Sequence, residues 1–168
     1  MGIRTVCCLP DIELENEYWL AKKKDLAKDP DVDLVVCATS VDKHFITISP
    51  SLRAGKNVYV EWPLGKSSTE AKELLRLKNI GGVKNAMVGL QGRQAPIIKK
   101  LKELVNGGTI GKVLSSTFVG QGGTSGEYIK QGMEYFATRS VGGNLVTIQF
   151  AHLVDYFQQG ECHFSWNV

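Results

Sequence analysis

Residues 33–38, Asp-Leu-Val-Val-Cys-Ala, form a short apolar run with Asp-Pro-Asp at 29–31 before it and Thr39-Ser40 after it. A continuous apolar run between turn-forming residues is typical of a strand that is buried on both faces. We therefore predict a central strand of a parallel sheet at this point in the chain.

Two further strands are predicted downstream, at 57–61 (Asn-Val-Tyr-Val-Glu) and at 84–90. A helical stretch at 44–54, interrupted by Pro50, precedes the first of them. A second helix, at 67–79, begins in the capping box Ser-Ser-Thr-Glu and precedes the other. Because right-handed crossovers place successive strands side by side, we expect the three strands to be adjacent and parallel.

The remaining sequence predicts a helix at 96–106, with Pro near its first turn and Gly-Gly after it, and a strand at 113–119. A glycine-rich loop at 120–126 and a helix from about 144 to 157 follow. The predicted fold class is α/β: an incomplete Rossmann-like parallel sheet followed by the start of an α+β second domain. We place the domain boundary between residues 92 and 93, giving domains 1–92 and 93–168.

Composition excludes several functional classes. The 168 residues are 43% hydrophobic and 22% charged, as in a folded globular protein. Twenty basic and 17 acidic residues give a net charge of +3, and the only basic run is Lys-Lys-Lys at 22–24, so direct nucleic-acid binding is not expected. The four cysteines form neither a CxxC motif nor a Cys/His set at zinc spacing, which argues against a metal site. No apolar stretch approaches the length of a membrane span.

Polar residues follow all three predicted strands, at the edge where parallel sheets bind their ligands. These candidate cofactor-binding residues are Thr39, Ser40 and His44 after the first strand, Glu61 and Trp62 after the second, and Gln91 and Arg93 after the third. The alternative interpretation is that they are ordinary turn residues.

The sequence contains no GxGxxG turn of the kind that binds a dinucleotide pyrophosphate. The closest pattern, Gly120, Gly122 and Gly126, has the spacing GxGxxxG instead of GxGxxG, and we interpret it as a flexible loop. We therefore expect this chain to bind NAD or NADP weakly or not at all.

His152 and Asp155 are the candidate catalytic residues. They are three positions apart on the predicted last helix, so they share a face and could act as an acid and base pair. A polar pair on an apolar helix is also commonly structural, and the sequence leaves both roles open.

Spaced motifs reveal a family resemblance. Residues 29–39 with His44, and 54–64 (Ala-Gly-Lys-Asn-Val-Tyr-Val-Glu-Trp-Pro-Leu), resemble the second half of the nucleotide-binding domain of the Gfo/Idh/MocA oxidoreductases. Gly142-Gly143 ahead of His152 and Asp155 is similar to that family's downstream pattern, so the resemblance extends to about residue 155. It implies NAD or NADP as the cofactor of full-length members. It also implies that this chain is truncated and lacks the first βαβ unit.

Within the family, Glu-Trp-Pro-Leu-Gly at 61–65 and the segments 89–93 and 110–116 resemble the fungal galactose-regulon repressors. That branch implies a regulatory protein that masks a transcriptional activator, forms homo-oligomers and is found in cytoplasm and nucleus. The family's enzymes carry a lysine where Trp62 stands, and usually an aspartate near Ile148. Since an indole cannot relay the substrate proton, a regulatory role is favoured over an enzymatic one.

Two alternatives stay open. One is an NAD(P)-dependent sugar or polyol oxidoreductase in which His152 is the acid/base and another group replaces the lysine. The other is a degenerate fragment without activity.

Overall fold

The computed structural model describes the backbone of residues 5–8 and, with side chains, residues 26–120, 129 and 134–160. Its four strands form one parallel sheet in the order β1 (Thr5–Cys8), β2 (Leu34–Cys37), β3 (Asn57–Glu61) and β4 (Ala86–Gly89). Val36, Tyr59 and Met87 lie side by side in the register of the last three strands. The predicted adjacency of these strands, and with it the Rossmann-like fold class, is confirmed.

Strand β1 is an element that the sequence analysis did not predict. Thr-Val-Cys-Cys pairs in parallel with β2, and Cys7 lies opposite Val36. Four residues are too few to show a period, so the strand is identified only by its pairing. Residues 26–28, ahead of β2, are helical.

Two helices connect the last three strands. Helix α1 (Val41–Arg53) begins three residues before its predicted start and contains Pro50. Helix α2 (Ser68–Ile80) begins where the capping box places it, because the Glu70 amide donates to Ser67 Oγ at 3.2 Å. The other half of the box differs from the expectation: the Glu70 carboxylate accepts from the amide of Lys66, at 3.0 Å.

The hydrophobic core lies between one face of the sheet and these two helices. Val35 and Cys37 of β2 and Val58 and Val60 of β3 pack with four helical residues, which are Ile48, Leu52, Leu74 and Leu77. The opposite face of β2, with Leu34 and Val36, is only half-buried, which corrects the prediction of a strand buried on both faces. The strand order explains this, because successive right-handed crossovers in one direction place α1 and α2 on the same face.

The described residues divide into two compact units. The first comprises the chain up to Gly89 together with Tyr135–Gly143, and the second begins at Leu90 and omits that segment. In the second unit, a 3₁₀ turn at Gln91–Gln94 leads into helix α3 (Pro96–Asn106). A π-helical turn (Val146–Phe150) leads into helix α4 (Ala151–Gly160). The division at residue 92 remains a prediction.

The strand predicted at 113–119 is wrong. These residues have no assigned strand pairing, because none of the described residues supplies a neighbouring strand. The glycine-rich loop at 120–126 lies outside the described residues except for Gly120. Within the described part of the chain, no helix is long and apolar enough to cross a membrane.

Candidate cofactor-binding and catalytic positions

His44 connects the loops that follow β2 and β3. Its Nδ1 lies 2.8 Å from the carbonyl oxygen of Pro63, and its Nε2 lies 2.9 Å from that of Thr39. A carbonyl oxygen only accepts hydrogen bonds and one imidazole tautomer carries a single N–H, so the ring donates to one of the two carbonyls and contacts the other. The side chain is 1% exposed. His44 therefore positions the two loops at the carboxyl edge of the sheet, and its ring is engaged within the protein.

Thr39 and Ser40 form the turn between β2 and α1. Thr39 Oγ1 donates to the Ser40 carbonyl at 3.4 Å, and Ser40 is the N-cap of α1 although its hydroxyl makes no capping bond. Both residues are half-buried. Hydroxyls and main-chain amides at the start of a helix are groups that bind the phosphates of a dinucleotide.

Trp62 and Glu61 stand at the end of β3. Glu61 is exposed, Trp62 is half-buried, and the peptide bond between Trp62 and Pro63 is cis. An indole N–H donates hydrogen bonds but accepts none, so Trp62 can hold a ligand by stacking or donation and cannot relay a proton. Trp62 is therefore unsuited to acid/base catalysis.

Gly142 lies against the loop that follows Trp62. Its φ is +79°, and a Cβ added there would stand 2.3 Å from the Cα of Lys66. Only glycine combines this left-handed conformation with such a close backbone approach. Gly142 of the Gly-Gly motif thus packs against the loop after β3. The sequence did not predict this contact.

Arg93 and Asp155 form an ion pair in the second unit. Arg93 Nε donates to both Asp155 oxygens at 2.9 and 3.0 Å, and Nη2 donates to Oδ1 at 2.6 Å. These hydrogen bonds raise the pKa of Arg93 above its ordinary value. A predicted cofactor residue and a predicted catalytic residue are therefore partners of each other. Gln91 is exposed on the same 3₁₀ turn.

His152 lies one helical turn before Tyr156, at a ring centroid distance of 6.2 Å. Its Nδ1 is buried and has no hydrogen-bond partner among the residues that the structure describes. The structure does not pair it with Asp155, whose carboxylate is held by Arg93. Of the two catalytic candidates, Asp155 is therefore occupied by Arg93, whereas Nδ1 of His152 has no partner among the described residues.

Gly92 is a residue that the sequence analysis missed. A Cβ at this position would lie 1.5 Å from Cε1 of Tyr156, so the ring occupies the space of the absent side chain. The sequence signal that could have identified Gly92 was its position next to Arg93. Gly92 contacts Tyr156 and Arg93 contacts Asp155, which are adjacent residues of α4. Among the described residues, no group of three or more His, Cys, Asp or Glu side chains is arranged to hold a metal ion.

Family models match both parts of the chain. Residues 6–90 match the model described as an oxidoreductase family with an NAD-binding Rossmann fold. The chain belongs to the Gfo/Idh/MocA oxidoreductase family. Residues 96–162 match the model for the C-terminal domain of Gal80p. Residues 6–90 therefore have the NAD-binding Rossmann fold of this family.

Individual relatives in this Gfo/Idh/MocA family include an enzyme and a regulator. The chain is 36% identical over 144 residues to the dehydrogenase aclE of Aspergillus oryzae, covering 84% of this chain. It is 29% identical over 161 residues, 92% of this chain, to the galactose/lactose metabolism regulatory protein GAL80 of Saccharomyces cerevisiae. The crystal structure of a super-repressor mutant of the Saccharomyces cerevisiae Gal80p superposes with a TM-score of 0.77 at 29% identity, over 84% of this chain and 38% of that one.

The chain spans only part of these relatives, 38% of the length of the Aspergillus dehydrogenase and 37% of the Saccharomyces regulator.

Proposed function

We propose that this protein is a dehydrogenase-like regulator of the galactose-repressor type, which acts by binding a transcriptional activator. The observation that carries the proposal is Trp62, a half-buried indole at the end of β3 where the family's enzymes place a lysine. Similarity to the GAL80 regulators of two yeasts, at 29% and 28% identity, supports the same assignment. A regulator of this kind works in the cytoplasm and nucleus and forms homo-oligomers, and both properties belong to the proposal.

The cofactor of this proposed regulator is a nicotinamide dinucleotide, used as a ligand and not consumed. Thr39, Ser40, Glu61 and Trp62 are the residues of the first unit that would contact it, and His44 would hold their loops in place. Gln91 and Arg93 are the proposed contacts of the second unit. Arg93 has its Nε and Nη2 engaged by Asp155, so its contribution would come from the rest of the guanidinium group. We expect weak binding or none in this chain.

A second function is favoured by one specific observation. The 36% identity to a dehydrogenase is higher than the identity to either yeast regulator. In an NAD(P)-dependent sugar or polyol oxidoreductase, His152 would act as the acid/base, because its Nδ1 is buried and no described residue bonds to it. A different group would then have to replace the family's lysine.

One pair of measurements distinguishes the two functions. The first follows NADH and NADPH absorbance for the chain with a panel of sugars and polyols. The second measures binding of the chain to a fluorescent peptide from the activation region of a galactose-regulon activator, by fluorescence anisotropy. We expect no turnover and saturable binding of the peptide. Turnover by the unmodified chain would establish the oxidoreductase, and absence of peptide binding by a correctly folded chain would refute the regulator.

Trp62 is tested by two variants. Trp62→Lys restores the proton-relaying group, and Trp62→Phe keeps an aromatic ring without one. If Trp62 is the reason for inactivity, activity appears in the lysine variant alone. Circular dichroism of both variants checks that the end of β3 tolerates the replacement, and equal activity in both would show that the indole was not the obstacle.

A further inference from the structure

The end of α3 carries the only Asn-Gly dipeptide of the chain, Asn106-Gly107. Asn106 is the last residue of the helix, and both residues are exposed to solvent. The main-chain nitrogen that follows an asparagine can attack the side-chain amide carbon of that asparagine, and a glycine leaves this nitrogen unshielded because it has no Cβ. The sequence and its position in the fold therefore place a reactive amide at the surface of the second unit.

Two other asparagines show what protects a side-chain amide. Nδ2 of Asn57 donates to the carbonyl oxygen of Asp33 at 3.1 Å. Oδ1 of Asn144 accepts from the main-chain amides of Val146 and Thr147, at 2.9 and 3.1 Å. These hydrogen bonds restrict the side-chain rotation that would bring the amide carbon to the following nitrogen, and neither asparagine is followed by a glycine.

Asn79 is the closest match to Asn106 among the described residues. It is exposed, and it lies one residue before the end of α2. The residue after it is Ile80, whose β-branched side chain crowds the main-chain nitrogen. Both asparagines are thus exposed at the end of a helix, and they differ in the residue that follows.

The hydrogen bonds at the end of α3 control access to the reactive geometry. The Gly107 N–H donates to the carbonyl oxygen of Glu103 at 2.8 Å, and the Gly108 N–H donates to that of Val105 at 3.1 Å. The first of these bonds must open before the Gly107 nitrogen reaches the Asn106 side chain. Terminal turns of helices fray, and such local opening costs far less free energy than global unfolding. The folded chain can therefore reach this geometry.

We infer that Asn106 is a site of spontaneous deamidation in the folded protein. The Gly107 nitrogen forms a bond to Cγ of Asn106, and the bond from Cγ to the amide nitrogen breaks. Ammonia leaves with the proton of the Gly107 N–H, and a cyclic succinimide remains. Water opens this ring by attack at Cγ, which gives aspartate, or at the main-chain carbonyl carbon, which gives isoaspartate. One water is consumed and one ammonia is released, with no oxidation or reduction.

Either product changes the end of α3. Each places a carboxylate at the C-terminus of the helix, where the partial negative charge of the helix dipole disfavours it. Isoaspartate also adds a methylene to the main chain between residues 106 and 107, inside the hydrogen-bonded turn that Gly107 closes with Glu103. The modification should therefore unwind the last turn of α3. The inference is independent of the proposed function, because it rests on this dipeptide and its helix end alone.

Peptide mapping of the full 168-residue chain tests the inference. Trypsin cleaves after lysine, so Asn106 is recovered in the peptide 103–112 and Asn79 in the peptide 79–84. The folded chain is incubated in neutral and in mildly alkaline buffer and is digested at intervals beside an unincubated sample. Mass spectrometry detects the replacement of NH₂ by OH, and chromatography separates the aspartate and isoaspartate peptides.

We expect the converted fraction of the peptide 103–112 to increase with time. Conversion should be several-fold faster in the alkaline buffer, because base removes the proton from the attacking nitrogen. The peptide 79–84 should remain unconverted. Equal conversion of the two peptides would overturn the inference, since it would show that the glycine after Asn106 has no effect.

Two variants and a reference peptide complete the test. Gly107→Ala adds a Cβ beside the attacking nitrogen, and alanine readily adopts the φ of −72° found there. Asn106→Gln keeps an amide but requires a larger ring. Both variants should slow conversion at this position several-fold or more, while circular dichroism shows that they keep the helices of the parent. A synthetic peptide of residues 103–112 gives the rate without the helix. A folded parent that keeps Asn106 intact while this peptide is converted, or a Gly107→Ala variant that reacts as fast as the parent, refutes the inference.

Discussion

Asp155 is held by Arg93, which lies 62 positions earlier in the chain, through two guanidinium nitrogens at 2.6 to 3.0 Å. The Asp155 side chain is 9% exposed, and that of Arg93 is 44% exposed. A carboxylate this deeply buried requires a cationic partner, and Arg93 supplies it from the turn after β4. The pair joins the start of the second unit to α4, so both residues contribute to the structure of that unit.

Breaking this ion pair from one side should destabilise the protein strongly. Arg93→Met leaves the Asp155 carboxylate buried without a partner, and we expect the free energy of unfolding to fall by about 3 kcal/mol. The double variant Arg93→Met/Asp155→Leu removes both charges and should recover most of that loss. Urea unfolding of the two variants and the parent measures both effects. Losses that simply add in the double variant would show that the two side chains do not depend on each other.

Gly142→Ala tests the close approach to the loop after Trp62. The substitution adds a Cβ 2.3 Å from the Cα of Lys66, at a φ of +79°. Gly82→Ala is the matched control, because Gly82 has a φ of +64° and open space around its Cβ position. The control should lose about 1 kcal/mol, the cost of the left-handed backbone alone.

The additional destabilisation of Gly142→Ala over the control measures the clash with the backbone of Lys66. We expect this additional loss to be about 1–3 kcal/mol. Thermal unfolding of both variants provides the comparison. If the two glycine variants are equally destabilised, Gly142 is required for its backbone conformation and not for the contact.

The elements that were predicted correctly are those whose signals are local. Residues close together in the sequence are enough to identify β2, β3 and the capping box of Ser67 and Glu70. The preference for right-handed crossovers then predicts the order of the strands. Pairing partners are not local. For this reason β1 was missed, and the strand expected at 113–119 has no neighbour among the described residues.

The candidate site shows the same division. Its location at the carboxyl ends of the strands follows from the parallel sheet, so Thr39, Ser40 and Trp62 could be selected from sequence. The contacts of His44 with Pro63, of Arg93 with Asp155 and of Gly92 with Tyr156 could not. Each joins residues from different elements, and no short pattern specifies which side chain will fill which space.

His44→Leu should loosen the two loops that the imidazole connects. Leucine fills a comparable volume but removes the imidazole N–H and the ring's contacts with the carbonyl oxygens of Pro63 and Thr39, a loss of about 1–3 kcal/mol. Thr39→Ala is the control, because Thr39 contributes its main-chain carbonyl to that contact and the substitution retains it. We expect a loss below about 1 kcal/mol for the control. Hydrogen exchange of the amides at 62–66 should accelerate in His44→Leu and not in Thr39→Ala.

Thr47→Val should stabilise the protein. Thr47 lies on α1 with 1% of its surface exposed, and its buried Oγ1 has no hydrogen-bond partner in the described part of the chain. Valine has nearly the same shape and no hydroxyl, so the substitution removes the desolvation penalty of an unsatisfied polar group, about 1 kcal/mol. Ser49→Ala on the same helix is the opposite case, because Ser49 Oγ donates to the Phe45 carbonyl at 2.5 Å and that bond would be lost. The free energy of unfolding in urea should therefore rise for Thr47→Val and fall for Ser49→Ala. A decrease for Thr47→Val would mean that the hydroxyl is satisfied, by the protein or by an ordered water molecule, when the protein is in solution.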